Sequence, residues 1–340
     1  MKTSVSFFFI FFSAVVFGQN ILVVDNNPGA AADYTNLNDA FNNAEAGDFI
    51  YVVPSSTSYS SASADVEVHV RGLAHQPEAT NGLNALVGSL DLNGNESSVS
   101  GLNISNALTG SGNGVEVSNC RVKYLVVSGD NWVIEGNIID NIQGNVSAIR
   151  INDNQNVTIH HNFIRHSSSN SFTAAIGQAP ESTLEYNNIY VLDNGRLLYA
   201  CTNIEFQNSV ILSLEEGDNL NLQGSSGWTF NNCLSYNYNG FSVPLTGDGE
   251  NNLEDTDPQF ENLQNDSPLF SYSNNYTPAV GSPLIGAGSD GDNIGIYNDN
   301  FDFDQRGHAI DLPYITTLDI LNPSVEEGED LEIEFSAFGN

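Results

Sequence analysis

Cations are nearly missing from this chain: eight Lys and Arg stand against 42 Asp and Glu over 340 residues, a formal charge of −34. Nucleic acid and anionic lipid are held by Lys and Arg neutralising phosphate, so both are excluded as partners. An acidic chain of this kind suits solvation in a salty exterior and leaves divalent cations as compatible visitors. Long apolar runs are absent after residue 18, so no membrane insertion is expected. Cysteine is scarce and odd in number, with Cys120, Cys201 and Cys233 only, so a disulfide framework is excluded.

The exception to the missing apolar runs is the start. Lys2 precedes a run from Val5 to Phe17 broken only by Ser6 and Ser13, and Gly18 stands before Gln19. This reads as a signal peptide over 1–18, too short to span a bilayer with ease. No Cys stands at the cut, which argues against a lipid anchor. Removing Lys2 takes the charge from 8 − 42 = −34 to 7 − 42 = −35. The expected product is secreted or displayed at the cell surface, soluble and monomeric.

What the chain has is a repeat. Trp132 to Asn137, Val157 to Asn162, Ser182 to Asn187 and Thr202 to Gln207 carry one phrase, an inward apolar residue followed three places later by an amide. The apolar anchors Ile134, Ile159, Leu184 and Ile204 lie 25, 25 and 20 residues apart, the period of a stacked-coil solenoid. Val99, Val117 and Phe230 extend the series. Alternating pieces at Ala148–Ile151, Ala174–Ile176 and Leu220–Leu222 precede anchors, with Asn, Gly and Ser corners between them. Stacking like on like predicts a ladder of Asn137, Asn162, Asn187 and Gln207, each amide satisfying the next. Cys120 and Cys233 occupy the amide's slot and read as small interior residues. At a coil spacing of about 4.8 Å they are more than about 20 Å apart, beyond disulfide reach.

Both ends of the solenoid have closures. Leu37, Ala40, Phe41 and Ala44 form a helical stripe with Asp33 or Thr35 as cap and Gly47-Asp48 as stop, followed by a strand from Phe49 to Val53. Ile315 to Leu321 and Leu331 to Phe335 alternate around Pro323 to Asp330 and predict a hairpin over 313–340. Thr246 to Asn275 loses the period and reads as looped last coils before Pro283 to Gly288 resumes order. Residues 19–312 then form one domain.

These residues carry a likeness. The entry Tyr34 to Phe41 and Ala44 to Val52, the coil phrase, and the exit Gly281 to Gly288 through Asp292 to Tyr297 resemble right-handed parallel β-helix proteins of the pectate-lyase-like superfamily, among them exported bacterial proteins. The resemblance covers Asp25 to roughly Tyr297 and implies an all-β chain: a right-handed parallel β-helix solenoid with a short N-terminal capping helix and a C-terminal hairpin. The exit is expected to be its last coil. Family enzymes that cleave acidic polysaccharide use calcium carboxylates with an Arg or Lys base, usually on one exposed strand column.

Aligning the coils on their anchors places Val126, Arg150, Ala175 and Asn221 in one outward column, with Leu197 or Leu198 between the last two. One Arg and no acid equips it poorly for proton abstraction beside a uronate, and no adjacent Asp pair suits a glycoside hydrolase. A second outward column holds Glu135, His160, Glu185, Glu205 and Asn231, with His161, Arg165 and His166 nearby. Carboxylates flanking an imidazole raise its pKa or share a metal. Arg121 and Lys123 flank Val122 as a clamp for an anionic sugar, and Lys123 is also a candidate base. Asp290 and Asp292, and the alternating Asn298, Asn300, Asp302 and Asp304, are candidate calcium ligands in incomplete loops. Tyr59, Tyr186, Phe206, Tyr236, Tyr238, Phe241 and Tyr272 are candidate sugar platforms, of which Tyr236 and Tyr238 are preferred; Trp132 and Trp228 read as core. The expected function is an exported module that contacts extracellular or cell-surface carbohydrate without catalysis. The competing one is a polysaccharide lyase or glycoside hydrolase acting on acidic polysaccharide with calcium, through Arg150, Lys123, His160, Glu135 and Glu185.

Overall fold

The computed structural model describes residues 19–309 apart from 81, 143, 153–155, 169, 193–194, 215–219 and 264–268, together with 314–321 and 331–338. The expected export signal at 1–18 lies outside the described residues. Ten short parallel strands stack into one wall of a β-solenoid: Ile21–Val24, Asp48–Val52, Val68–Gly72, Ser98–Ser100, Glu116–Ser118, Val133–Glu135, Thr158–His160, Thr183–Glu185, Glu205–Gln207 and Thr229–Asn231. The first of these was missed in the sequence, where Phe49 to Val53 was expected to begin the stack. The helix Leu37–Asn43 buries Leu37, Ala40 and Phe41 as expected, but its N-cap is Asn36, whose side chain accepts from the Asp39 N–H.

A fourteen-stranded sheet forms the other wall. Its long strand Arg121–Val127 splits the coils above it into two stacks. Ile138–Asn141 pairs in parallel with its first half and Ile149–Ile151 with its second. Phe163–Ser167, Asn188–Leu192, Val210–Ser213 and Leu234–Asn237 continue the first stack. Ile176–Gly177, Leu198–Tyr199 and Leu222–Gln223 continue the second. Side chains alternate across a strand, so from the second strand of the ten-stranded wall onward each coil sends a central residue inward. These are Ile50, Val70, Val99, Val117, Ile134, Ile159, Leu184, Phe206 and Phe230, all fully buried.

The register corrects one anchor. Leu184 pairs with Phe206, not with Ile204, so Phe206 is core, ring-stacked on Phe230 at 4.8 Å, and is no sugar platform. A two-residue slip leaves inward residues inward, which is why the alternation did not expose it. The same slip moves Gln207 out of the ladder and into the outward column beside Glu185 and Asn231, and moves Glu205 to the neighbouring column with Thr183.

After each of the six strands from Glu116–Ser118 to Thr229–Asn231 the chain turns sharply through one left-handed residue: Asn119, Gly136, His161, Tyr186, Asn208 and Asn232 have φ between 47° and 65°. His and Tyr adopt that region at a cost. The next residue is the rung. Asn162 Oδ1 accepts from the Asn137 N–H at 2.9 Å, and Asn162 Nδ2 donates to the Ile134 carbonyl at 2.7 Å; Asn137 and Asn187 repeat the pattern on their own lower neighbours. Ser209 Oγ accepts the Asn187 N–H at 3.1 Å in place of Gln207, and Asn252 takes the rung above Cys233. Thus 246–253 keeps one more partial coil, with Asp248 and Leu253 bridged in parallel to Thr229 and Leu234. All three cysteines are buried and free, and burial pushes the Cys120 and Cys233 thiols up to about 12.

The exit is not a further coil. Residues 284–309 run back down the outside of the solenoid: the Gly295 N–H donates to the Asn208 carbonyl, Asn298 meets His161, and the His308 carbonyl accepts from Asn119 while residue 308 bridges Ala74. This strap, with the antiparallel pair Phe260–Asn262 and Asn275–Pro278, covers a second core of Ile138, Phe163, Tyr190, Val210, Leu212 and Leu234 under Tyr276, Leu284, Ile294, Ile296 and Phe303. The hairpin is present as Tyr314–Ile320 and Ile333–Phe338, paired antiparallel. Asn162→Leu removes a donor and an acceptor from two buried backbone groups and is expected to lower unfolding free energy by roughly 2–5 kcal/mol in denaturant titration, whereas Gln207→Ala is expected to change it by less than about 0.5 kcal/mol.

Candidate functional site

Three places on the surface gather the polar side chains singled out in the sequence. The first is the outward column Ser118, Glu135, His160, Glu185, Gln207 and Asn231 on the ten-stranded wall. His160 Nε2 lies 3.7 Å from Glu135 Oε2, and its Nδ1 lies 3.1 Å from His161 Nδ1. Asn298 Nδ2 contacts His161 Nε2 at 2.8 Å. An amide nitrogen only donates, so His161 accepts at Nε2, donates from Nδ1 to His160, and leaves the His160 hydrogen on Nε2 facing Glu135. His161 is clamped between the rings of Tyr186 and Phe301, at 5.0 and 4.0 Å. Burial, and the His160 ring beside it, drive the His161 pKa down to about 3. Burial also lowers His160, against the pull of Glu185, and raises Glu135, which Glu116 raises further.

The strap brings two of the candidate calcium ligands to this edge. Asp290 is exposed and accepts from the Tyr186 hydroxyl at 2.6 Å, which lowers the carboxyl pKa; burial, with Asp290 next, raises the phenol. Asp292 is buried, accepting from the N–H groups of Asn293 and Asp299 and from Asn300 Nδ2. Asp304 accepts from the His308 and Arg306 N–H groups and from His308 Nδ1 at 2.7 Å; burial works against ionisation, but these donors hold its pKa low. Asp302 is exposed. Asp292 and Asp304 therefore spend their oxygens fastening the strap, and no three His, Cys, Asp or Glu converge on a metal position among the described residues.

The second place is the Arg121 and Lys123 flank. Arg121 pairs with Asp140 at 3.2 Å, sits 5.5 Å above the rings of Phe270 and Tyr272, and so is committed to the strap side. The buried Arg165 Nε donates to the same Asp140 at 2.6 Å. A bulge between Val122 and Tyr124 interrupts the strand at Lys123, and with Asn103, Ser105 and Asp140 the two cations line a pocket of about 230 Å³.

The third place surrounds Arg150. Register corrects its column to Thr109, Val126, Arg150, Gly177, Tyr199 and Gln223. Ala175, Leu197 and Leu198 are instead fully buried core. Gly177 places no side chain between Arg150 and Tyr199, two coils or about 10 Å apart, and a Cβ there would strike Ser147 Oγ. The resulting groove, about 290 Å³, is lined by Arg150, Tyr199, Phe172, Asn145, Asn170 and Gln178 among others, with no carboxylate in its lining. Arg150 Nε donates to Asn152 Oδ1 at 2.8 Å. Phe172, 65% exposed, meets Tyr199 edge to face at 5.9 Å. Phe172 and Tyr199 were missed in the sequence; only the 27- and 22-residue steps from Arg150 to Gly177 to Tyr199 would have revealed the column.

The remaining aromatics are less available. Tyr236 and Tyr238 are half-buried against the second core, edge to face at 5.0 Å. Tyr59 is buried and donates to the Val53 carbonyl at 2.7 Å. Tyr272 is held by Arg121 and by His75 Nδ1 at 2.9 Å. Trp132 is core and donates to the Gly112 carbonyl at 2.8 Å, while Trp228 is partly buried.

Neither a protein-family model nor a curated protein matches the sequence. A solved structure described as "Crystal structure of pectate lyase Pel9A" is similar to this chain at 12% identity and a TM-score of 0.49, over 83% of this chain and 97% of that one.

Burial holds His75 and His161 down to about 3 and His166 down to about 4, whereas an unfolded histidine protonates near 6.5. Below about pH 6.5 the unfolded chain therefore binds more protons than the folded one, and stability falls as pH falls toward 4. Thermal melts from pH 7 to pH 4 are expected to show a steady drop in Tm, and His161→Gln is expected to flatten that slope.

Proposed function

We propose that this protein is an exported β-solenoid module that binds acidic carbohydrate along the Arg150 groove without cleaving the glycosidic bond. The observation that carries this reading is a cation and exposed aromatic surface in one carboxylate-free groove. A guanidinium pairs with a uronate or sulfate through charge-assisted hydrogen bonds. Phe172 and Tyr199 offer apolar faces to sugar rings, and Asn145, Asn170 and Gln178 offer donors and acceptors to hydroxyls.

The electrostatics speak against bond cleavage at the Arg150 groove and at the Glu135 ridge. β-Elimination needs a cation to neutralise the sugar carboxylate and a base beside the proton it removes. The Arg150 groove has the cation and no side-chain carboxylate or lysine base in its lining. On the Glu135 ridge, Glu135 and Glu185 flank the imidazole one coil to either side, so a polyanion meets repulsion there.

Affinity electrophoresis through polyuronate gels tests the assignment. Retardation is expected to be lost in Arg150→Ala, a weakening of about tenfold or more by loss of a charge-assisted contact, and reduced in Phe172→Ala. Unsaturated uronate products from the wild-type protein, abolished by Arg150→Ala, would establish the lyase instead.

A further inference from the structure

On the ten-stranded wall, three coils below the Glu135 ridge, a serine, a histidine and a carboxylate lie in line. Ser98 Oγ is 2.9 Å from His69 Nδ1, and His69 Nε2 is 3.4 Å from Glu67 Oε1. Arg71 Nη1 donates to Ser98 Oγ at 2.9 Å. His69 and Arg71 are successive outward residues of the strand Val68–Gly72, and Ser98 is paired with His69 one coil above. The pairing is thus set by coil register, through the parallel pairing of residues 69–71 with Ser98–Ser100.

The hydrogen bonds have a direction. Arginine only donates, so Ser98 Oγ accepts from Arg71. Its own hydrogen then points at His69 Nδ1, and the imidazole tautomer with hydrogen on Nε2, directed at Glu67, satisfies all three contacts at once. A hydroxyl whose proton faces an imidazole, with that imidazole oriented by a carboxylate, is the arrangement that activates a serine nucleophile. Arg71 adds a cation beside the oxygen that would lose its proton, and beside the carbonyl oxygen that would gain charge after attack. Phe49 packs on the His69 ring at 4.9 Å and lies 5.5 Å below the Arg71 guanidinium, fixing both. Ser98 is only 8% exposed, which restricts the proposed site to small acyl groups.

We propose that Ser98, His69 and Glu67 form a serine esterase site for small acyl esters, such as acetyl groups carried on a sugar. Ser98 Oγ bonds to the ester carbonyl carbon while its proton passes to His69 Nδ1. The carbon to alkoxy-oxygen bond breaks, and His69 returns the proton to the departing alcohol. Water, losing a proton to His69, then attacks the acyl-serine, and the carboxylic acid leaves as Ser98 recovers its hydrogen. No metal or external oxidant enters the balance. Glu67 is a positioning residue that acts through His69.

The test uses the whole protein, a small fluorophosphonate and p-nitrophenyl acetate. Intact-mass and peptide analysis is expected to find one adduct on Ser98, absent in Ser98→Ala and slowed at least 100-fold in His69→Gln. Hydrolysis of the acetate ester is expected to follow the same order. Glu67→Gln, at a half-buried position, is expected to lower kcat about tenfold with KM unchanged, and Glu67→Asp to recover part of it; a role in packing alone would not separate the two constants. An unlabelled Ser98 in the folded wild-type protein, or equal labelling in wild type and Glu67→Gln, overturns the proposal.

Discussion

A side-chain amide that replaces a backbone partner at the corners of the central coils is the interaction on which the molecule depends. At the corner the chain leaves one sheet for the other, and its N–H and carbonyl groups lose the strand partners they would otherwise have. Buried groups of this kind cost about 1–3 kcal/mol each when unmade. Asn137, Asn162 and Asn187 answer both at once, accepting from the N–H below with one end and donating to the carbonyl below with the other. Because each rung reads the backbone of its neighbour, it sets register as well as stability. Where the rung is Ser209, the oxygen still meets the N–H below; where it is Cys120 or Cys233, the side chain has no oxygen to offer, and the cysteine's own N–H is met by Asn137 or Asn252 above it.

Register has chemical consequences because a solenoid writes function in columns. Residues 20 to 30 positions apart become neighbours along the stack, so a groove or a cluster exists only while coils stay aligned. The Arg150 groove needs Gly177 to lie between Arg150 and Tyr199, and Ser98 meets His69 only at this pairing. The strap acts in the same sense from outside. It fastens His161 through Asn298 and Phe301, ties Asn119 through His308, and covers apolar residues that the second sheet turns outward. A chain with so few cations spends Arg121 and Arg165 on Asp140 beneath that cover, which leaves Arg150 as the exceptional cation in a carboxylate-free groove.

The repeat, the ladder, the capping helix and the hairpin were legible because each rests on local pattern: an apolar residue with an amide three places on, a helical stripe, an alternation around a proline. The slip at Ile204 was not legible, since moving a strand by two residues preserves which side chains face inward. It carried Gln207 into the ladder and Glu205 into the ridge, and a similar phase error put Ala175 and Leu197 in the Arg150 column. The strap was misread as a coil because Leu284, Ile294, Ile296 and Phe303 are apolar without period, and only long-range packing shows where they go. Glu135, His160 and Glu185 were read as one edge and are one edge. Their connection to Asp290 and Asn298, more than a hundred residues later, has no signal in the sequence.

Backbone hydrogen exchange at the corners tests the governing role of the rungs most directly. The N–H groups of Cys120, Asn137 and Asn162 have side-chain oxygens as partners, and they are predicted to exchange only through global unfolding, as slowly as the strand amides beside them. Exchange of these three at the rate of exposed loop amides, while the strands stay protected, would contradict the account.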